Sequence, residues 1–232
     1  MFRSLSGMKL SFLRVDAVRP DSLCVQDDGY KVLINQGMCS EEICCSLSHL
    51  QCWISFIDSE DELCVILEDD VHLSADFSAV LHSLSSQYTE FGERLVVVKL
   101  ETFYATVTAG LKKYRLSYKR FASELLSNHG GSAGYVINRE TAKYLINQFS
   151  GFCRAIDTEL FHPDQRFSKD LVVYQVFPAC VLQDHKKPHP IFESNIPSRL
   201  SLPKKRKGFY KNIKYLVTPL YLIACNLYLL HR

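Results

Sequence analysis

Apolar residues in this chain recur at helical spacing in one early segment and as continuous runs in several later ones. Ile43, Leu47, Leu50, Ile54 and Ile57 fall at i, +4, +7, +11 and +14, one stripe of a helix. Ser40 stands before that stripe as an N-cap, and Glu41 and Glu42 occupy the first turn, where the helix dipole favours acids. The spacing predicts a helix over Ser40–Ile57. An acid-rich break at 58–62 leads into Leu63-Cys64-Val65-Ile66-Leu67, a run of the kind shown by a strand buried on both faces. Residues 76–84 read as a helix, 95–100 as a second buried strand and 114–121 as a more exposed one. Gly130 to Gly134 lead into Tyr135-Val136-Ile137, after which Asn138 caps a helix reaching about Phe149. Residues 171–182, broken at Pro178, form the last strand-like region, and short apolar stretches lie at 12–18 and 32–34. Strands alternating with helices predict a layered α/β domain.

Composition narrows this picture. With 47% hydrophobic and 22% charged residues in 232, the chain can bury a core, and one domain with an appendage is expected. The net charge of +2 is uneven: residues 194–232 hold eight Lys/Arg and no acid, leaving 19 bases against 25 acids in the rest. The expected division is a domain over 1–200 and a basic, apolar tail over 201–232. Within that tail, sixteen uncharged residues run from Tyr215 to Leu230. As a helix they would reach about 24 Å, short of the ~30 Å hydrocarbon core, and Pro219 and Asn226 interrupt them. The tail therefore reads as lying on an anionic membrane surface, with a buried terminal helix as the alternative; nucleic acid is not an expected partner. The nine cysteines form no CxxC pair and no signal-peptide pattern precedes them, so they read as reduced packing thiols of a cytoplasmic protein.

The chemistry concentrates at Glu68-Asp69-Asp70, directly after the Leu63–Leu67 run. Adjacent carboxylates repel one another, and a divalent cation relieves that repulsion. Oxygen ligands suit Mg²⁺ or Mn²⁺, and alternation along an extended segment lets Glu68 and Asp70 share an ion while Asp69 turns aside. A solvated acidic turn is the plainer reading. Such a metal would serve a nucleotide-sugar transferase, a nucleotidyl or phosphoryl transferase, or a nuclease equally. Late in the chain, His185 after Asp184 offers a further metal ligand, although Lys186 and Lys187 beside it suit phosphate as well. The glycines at 130–134 match no phosphate-loop pattern and suggest a sharp turn or close backbone approach.

Taken together, Ser46-Leu47-Ser48-His49, Trp53, Ile66-Leu67-Glu68-Asp69-Asp70-Val71 and Phe77 resemble glycosyltransferase family 25, the lipooligosaccharide galactosyltransferase family. Gly134-Tyr135-Val136-Ile137 with Ala142, Ala155-Ile156-Asp157, Phe177-Pro178-Ala179, Gln183, and Ser194-Asn195-Ile196 with Arg199 extend the resemblance over roughly residues 10–200. It implies a Rossmann-like, GT-A-like nucleotide-diphospho-sugar transferase domain and an inverting transfer from UDP-galactose to a lipooligosaccharide acceptor. It also implies work at the cytoplasmic face of a bacterial inner membrane. His49, Asp69, Gly134, Tyr135 and Gln183 are then donor-binding candidates, with Trp53 read as core. An inverting transfer needs a carboxylate base, for which Asp157 is the first candidate and Glu159 the second, N-capping being the alternative for Asp157. A first strand of the form valine-x-asparagine-leucine, usual in the family, is not found where it is expected. A truncated, non-catalytic relative is therefore a rival reading.

Overall fold

In the computed structural model, the helix predicted over Ser40–Ile57 forms over those residues as α1. The described residues are Met8, Leu10, 12–20, 38–88, 95–117, 119–165, 167 and 169–184, with the backbone of 223–224 and 227–230. The N-cap of α1 is Cys39 rather than Ser40, and Glu42 reaches back to accept the Cys39 amide at 3.1 Å. Of the expected stripe, Ile43 and Leu50 are buried, whereas Leu47, Ile54 and Ile57 lie at the rim, and Ser46, His49, Trp53 and Phe56 complete the buried face. Bulky aromatic side chains outcompete the aliphatic stripe for the interior, and they carry His49 inward with them.

The strands follow from the apolar runs. These are β1 (Phe12–Leu13), β2 (Leu63–Leu67), β3 (Val71–Leu73), β4 (Val96–Lys99), β5 (Tyr114–Arg115), β6 (Phe121–Glu124), β7 (Gly134–Asn138), β8 (Val172–Phe177), β9 (Val181–Gln183), β10 (Ile223–Ala224) and β11 (Leu227–Leu230). The exposed strand expected over 114–121 is instead two short strands with a turn between them, where Lys119 takes φ 64°. The break at Pro178 separates β8 from β9, and its peptide bond is cis. The remaining helices are α2 (Phe77–Gln87), α3 (Arg139–Gln148) and α4 (Ile156–Phe161). As expected, Asn138 caps α3, its Oδ1 accepting the Thr141 amide at 2.7 Å.

The main sheet has the order β1-β11-β2-β7-β4-β8-β6-β5, and a small one has the order β10-β3-β9. Strands β2, β4 and β8 run in one direction, and β7 lies antiparallel between β2 and β4. The result is a mixed α/β architecture around a central mixed sheet. Alternation along β2 sends Leu63, Val65 and Leu67 to the core beneath α2, and Cys64 and Ile66 to the core beneath α1, α3 and α4. The shared direction of β2 and β4 brings their carboxyl ends to one edge, where open α/β sheets bind ligands.

Of the apolar run at 215–230, the backbone of β11 pairs antiparallel with β2 from Leu227 opposite Leu67 to Leu230 opposite Cys64. That of β10 pairs with β3. This part of the run is sheet, whereas the expectation weighed it as a helix. Residues 185–222, with His185 among them, and the stretch at 32–34 lie outside the described residues. Among the described residues, no helix is long and apolar enough to cross a membrane.

Candidate active site

Glu68 is the first residue beyond β2, and its amide extends the ladder to the Ala133 carbonyl at 3.0 Å. Continuing the β2 alternation places its side chain on the α1 face of the sheet, where His49 Nε2 stands 3.5 Å from Oε1. Ser132 Oγ donates to the same oxygen at 3.0 Å. The other oxygen, Oε2, accepts from Gln183 Nε2 at 2.9 Å, and that one amide group also stands 3.3 and 3.4 Å from the two oxygens of Asp70. Glu68 and Asp70 therefore converge on a single donor group supplied by β9, while Asp69 is exposed. The convergence leaves a mark on Asp70, whose carboxyl is pushed up to about 7, first by burial and then by the charge of Glu68. Burial also works against the Glu68 charge, but His49, the Ser132 hydroxyl and the Lys99 charge together hold its carboxyl below the usual range.

Behind Glu68 a buried relay sets the histidine. The Trp53 indole N–H can only donate, and it gives its hydrogen to the Tyr135 hydroxyl oxygen at 3.0 Å. The Tyr135 hydroxyl in turn lies 2.8 Å from His49 Nδ1. Donation from tyrosine to Nδ1 satisfies both groups and leaves the His49 proton on Nε2, facing Glu68; this tautomer is assigned from the network. Tyr135 and His49 are 0% and 4% exposed and stand behind Glu68, whose orientation they set. At Gly134 the sheet is closely packed: a Cβ there would meet Val181 Cγ1 at 2.8 Å.

The loop at 130–132 joins this cluster to the carboxylate expected to act as base. The Gly131 amide donates to Asp157 Oδ2 at 2.8 Å, and Asp157 opens α4, half-buried. Gly131 takes φ +88°, and a Cβ on it would lie 1.8 Å from Phe103 Cε2 and 2.3 Å from Glu101 Oε1, so only glycine fits. Glu159, the second candidate, is 1% exposed and accepts the Cys153 amide at 3.0 Å. It secures the entry to α4, and burial pushes its carboxyl up against the pull of the Cys153 and Arg154 amides.

Some groups at this edge are absent from the sequence expectations. Lys99, wholly buried at the end of β4, donates to Glu101 Oε1 at 2.7 Å and to the Gly131 carbonyl, and lies 4.1 Å from the centroid of the Phe161 ring. Glu101 is itself wholly buried, and its Oε2 has no hydrogen-bond partner among the described residues. Burial pushes its carboxyl up to about 7; the Lys99 charge opposes this, whereas Glu68 and Asp157 add to it. A carboxylate directly after an apolar strand was the signal for Glu68, and 95–101 repeats it. Cys45, one turn before His49, is brought within 4.8 Å of the His49 and Glu68 ligand atoms; the expectation that the cysteines of α1 only pack does not cover it. The buried His129 is held neutral, its basicity reduced to about 4 by burial and the Lys99 charge, and accepts the Phe103 amide at 3.2 Å.

A family model described as glycosyltransferase family 25 (LPS biosynthesis protein) matches residues 1–160. The chain belongs to glycosyltransferase family 25. This family 25 chain is 32% identical to the lacto-N-neotetraose biosynthesis glycosyltransferase LgtE of Neisseria meningitidis serogroup B, over 66% of its own length and 56% of that protein's. It is 29% identical to the lipooligosaccharide biosynthesis protein lex-1 of Haemophilus influenzae, over 60% and 48% of the two chains. With the lipooligosaccharide biosynthesis protein lic2B of Haemophilus influenzae it shares 28% identity over 88% and 80%. The chain spans about half the length of LgtE and lex-1. The match contains Glu68, Asp70, Lys99, Glu101, Gly131 and Asp157, so every carboxylate of the cluster lies within the family region.

Proposed function

We propose that this chain is an inverting glycosyltransferase with a GT-A-like domain, moving galactose or a related hexose from a UDP-sugar to a lipooligosaccharide acceptor. The observation that carries the reading is the convergence of Glu68 and Asp70 on one donor group at the carboxyl end of β2, with Asp157 tied to the same loop. Family membership and the names of the relatives support the sugar and the acceptor class.

The donor set fits Mn²⁺ or Mg²⁺: hard carboxylate oxygens, partly buried, one of them raised to about 7 by burial and by the Glu68 charge beside it. Glu68 and Asp70 would hold the ion, which when bound neutralises charge on the nucleotide diphosphate as the glycosyl bond breaks. Gln183 spaces the two carboxylates, and the Trp53–Tyr135–His49 relay fixes the orientation of Glu68. Asp157 takes the proton of the acceptor hydroxyl as that oxygen attacks the anomeric carbon, and UDP departs with the bonding electron pair from the opposite face. The β7 strand set antiparallel among like-directed strands supports the GT-A-like reading. A lipid-linked acceptor places the work at a membrane surface, which in a bacterium is the cytoplasmic face of the inner membrane; the bases of 201–232 suit an anionic leaflet there.

The test is incubation of the purified chain with UDP-galactose, truncated lipooligosaccharide and Mn²⁺. Release of UDP with a glycolipid product heavier by one hexose is expected. Release of pyrophosphate or inorganic phosphate, without sugar transfer, overturns the proposal.

A further inference from the structure

The sheet edge formed by β5 and β6 carries a feature that the transfer chemistry does not use. Residues 109–120 read AGLKKYRLSYKR, with five bases and no acid. Leu111 is 95% exposed, far more than Leu13, Tyr104 or Leu126, the other exposed large apolar residues among those described. Lys112, Lys113, Arg115 and Lys119 of the same stretch are exposed as well.

This exposure is built into the backbone. The carbonyls of Gly110 and Lys112 both point at the buried Ser123 Oγ, at 2.6 and 2.9 Å, and the Gly110 amide donates to the Glu124 carbonyl at 2.8 Å. With the peptides on either side pinned inward, the Leu111 side chain has only solvent to enter. The turn end of the hairpin is equally fixed. Arg120 grips Asp76 of α2 through Nε at 2.6 Å and a terminal nitrogen at 2.8 Å, and also reaches the Ala179 carbonyl at 2.8 Å. Lys112 and Lys113 lie over the rings of Tyr114 and Phe121, 4.5 and 4.6 Å from the centroids, which draws their stems along the same edge. Glu124 is the one acid on β5 and β6.

We propose that this edge is a membrane-docking surface in which Leu111 enters the acyl boundary of an anionic bilayer while Lys112, Lys113, Arg115 and Lys119 engage lipid headgroups. An exposed leucine on an edge whose exposed bases are lysine and arginine is complementary to an anionic leaflet, with apolar burial and charge acting together. Nucleic acid would use the charges but gives a fully exposed leucine no apolar environment. The surface is separate from the basic tail and from the carboxylate cluster, so the proposal stands or falls independently of the transfer reaction.

The experiment places a reporter at the tip of the full chain. Trp53, the single tryptophan, is 0% exposed and gives a constant background, so Leu111→Trp reports on the tip alone. With anionic phosphatidylglycerol vesicles, the added emission is expected to move to shorter wavelength and to be quenched by brominated acyl chains. Adding Lys112→Gln, Lys113→Gln, Arg115→Gln and Lys119→Gln to that variant is expected to weaken the tip signal on the order of a hundredfold in lipid concentration. Hexose transfer to a short soluble acceptor is expected to stay unchanged in both. An unshifted tip on a chain that still sediments with vesicles overturns the proposal, since another segment then does the binding. So does an equal response to neutral vesicles, or a response to a single-stranded oligonucleotide without one to vesicles.

Discussion

The Gly131 amide donates to Asp157 Oδ2 at 2.8 Å, so the residue that separates Glu101 from the start of α4 also holds the candidate base. The next residue, Ser132, donates to Glu68. One peptide N–H and the adjacent serine hydroxyl thus join carboxylates far apart in the sequence, and Lys99 supports them from below by binding the Gly131 carbonyl. Displacement of this loop moves both ends of the site together.

Gly131→Ala is accordingly expected to damage stability and turnover at once. The positive φ alone costs a non-glycine residue on the order of 1–3 kcal/mol, and the Phe103 and Glu101 side chains occupy the space a methyl group needs. Thermal denaturation and transfer kinetics check this, and a variant with wild-type values of both would remove the loop from the coupling.

Asp70→Asn removes a ligand charge and little volume. Transfer is expected to be lost and Mn²⁺-dependent UDP binding to weaken at least tenfold, while circular dichroism stays unchanged. Full activity in this variant would dismiss the Glu68–Asp70 metal assignment.

The identity of the base separates by kinetics. Asp157→Asn is expected to lower kcat by a factor of roughly 10²–10⁴ with UDP affinity near wild type. Should Asp157→Asn keep its kcat while Glu101→Gln loses it, the proton goes instead to the carboxylate held by Lys99.

Stability should carry the signature of the buried Glu101. Its carboxyl is raised from an ordinary value near 4.5 to about 7, so between those pH values the folded chain binds more protons than the unfolded one. Its contribution is therefore fully present below the lower value and is lost as pH rises through the higher one, by ~3 kcal/mol at most. Denaturant titrations from pH 4 to 8 should show wild type losing stability relative to Glu101→Gln across that window. A difference that does not change with pH would mean that the Glu101 carboxyl titrates in the folded chain as it does in the unfolded one.

Much of the fold was legible because its elements carry strong local signals. The Leu63–Leu67 strand and the Ser40–Ile57 helix have the expected bounds, and Asn138 caps α3. The acidic turn was legible for the same reason, since three carboxylates after an apolar run stand out. What could not be read was pairing across the fold. Nothing local shows that Tyr135 lies beneath His49, because that contact depends on β7 inserting beside β2. Lys99 fell inside the strand expected over 95–100 and Glu101 just beyond it, and it is the close approach of Gly131 that encloses the pair. The hairpin at 114–124 escaped because residues 116–120 carry neither glycine nor proline at their turn; Lys119 adopts the positive φ instead.

The pairing of β10 and β11 bears on how the molecule is made. Leu227 lies opposite Leu67 and Ala224 opposite Val71, so the two strands flanking Glu68-Asp69-Asp70 both find partners near residue 225. Contacts so distant in sequence close slowly, because the loop entropy of the intervening chain must be lost first. During synthesis, the edge of β2 would remain an open ladder until translation has passed residue 230. The nascent chain would then need protection from edge-to-edge association for most of its time on the ribosome, and the acidic turn would be among the last parts of the molecule to become rigid.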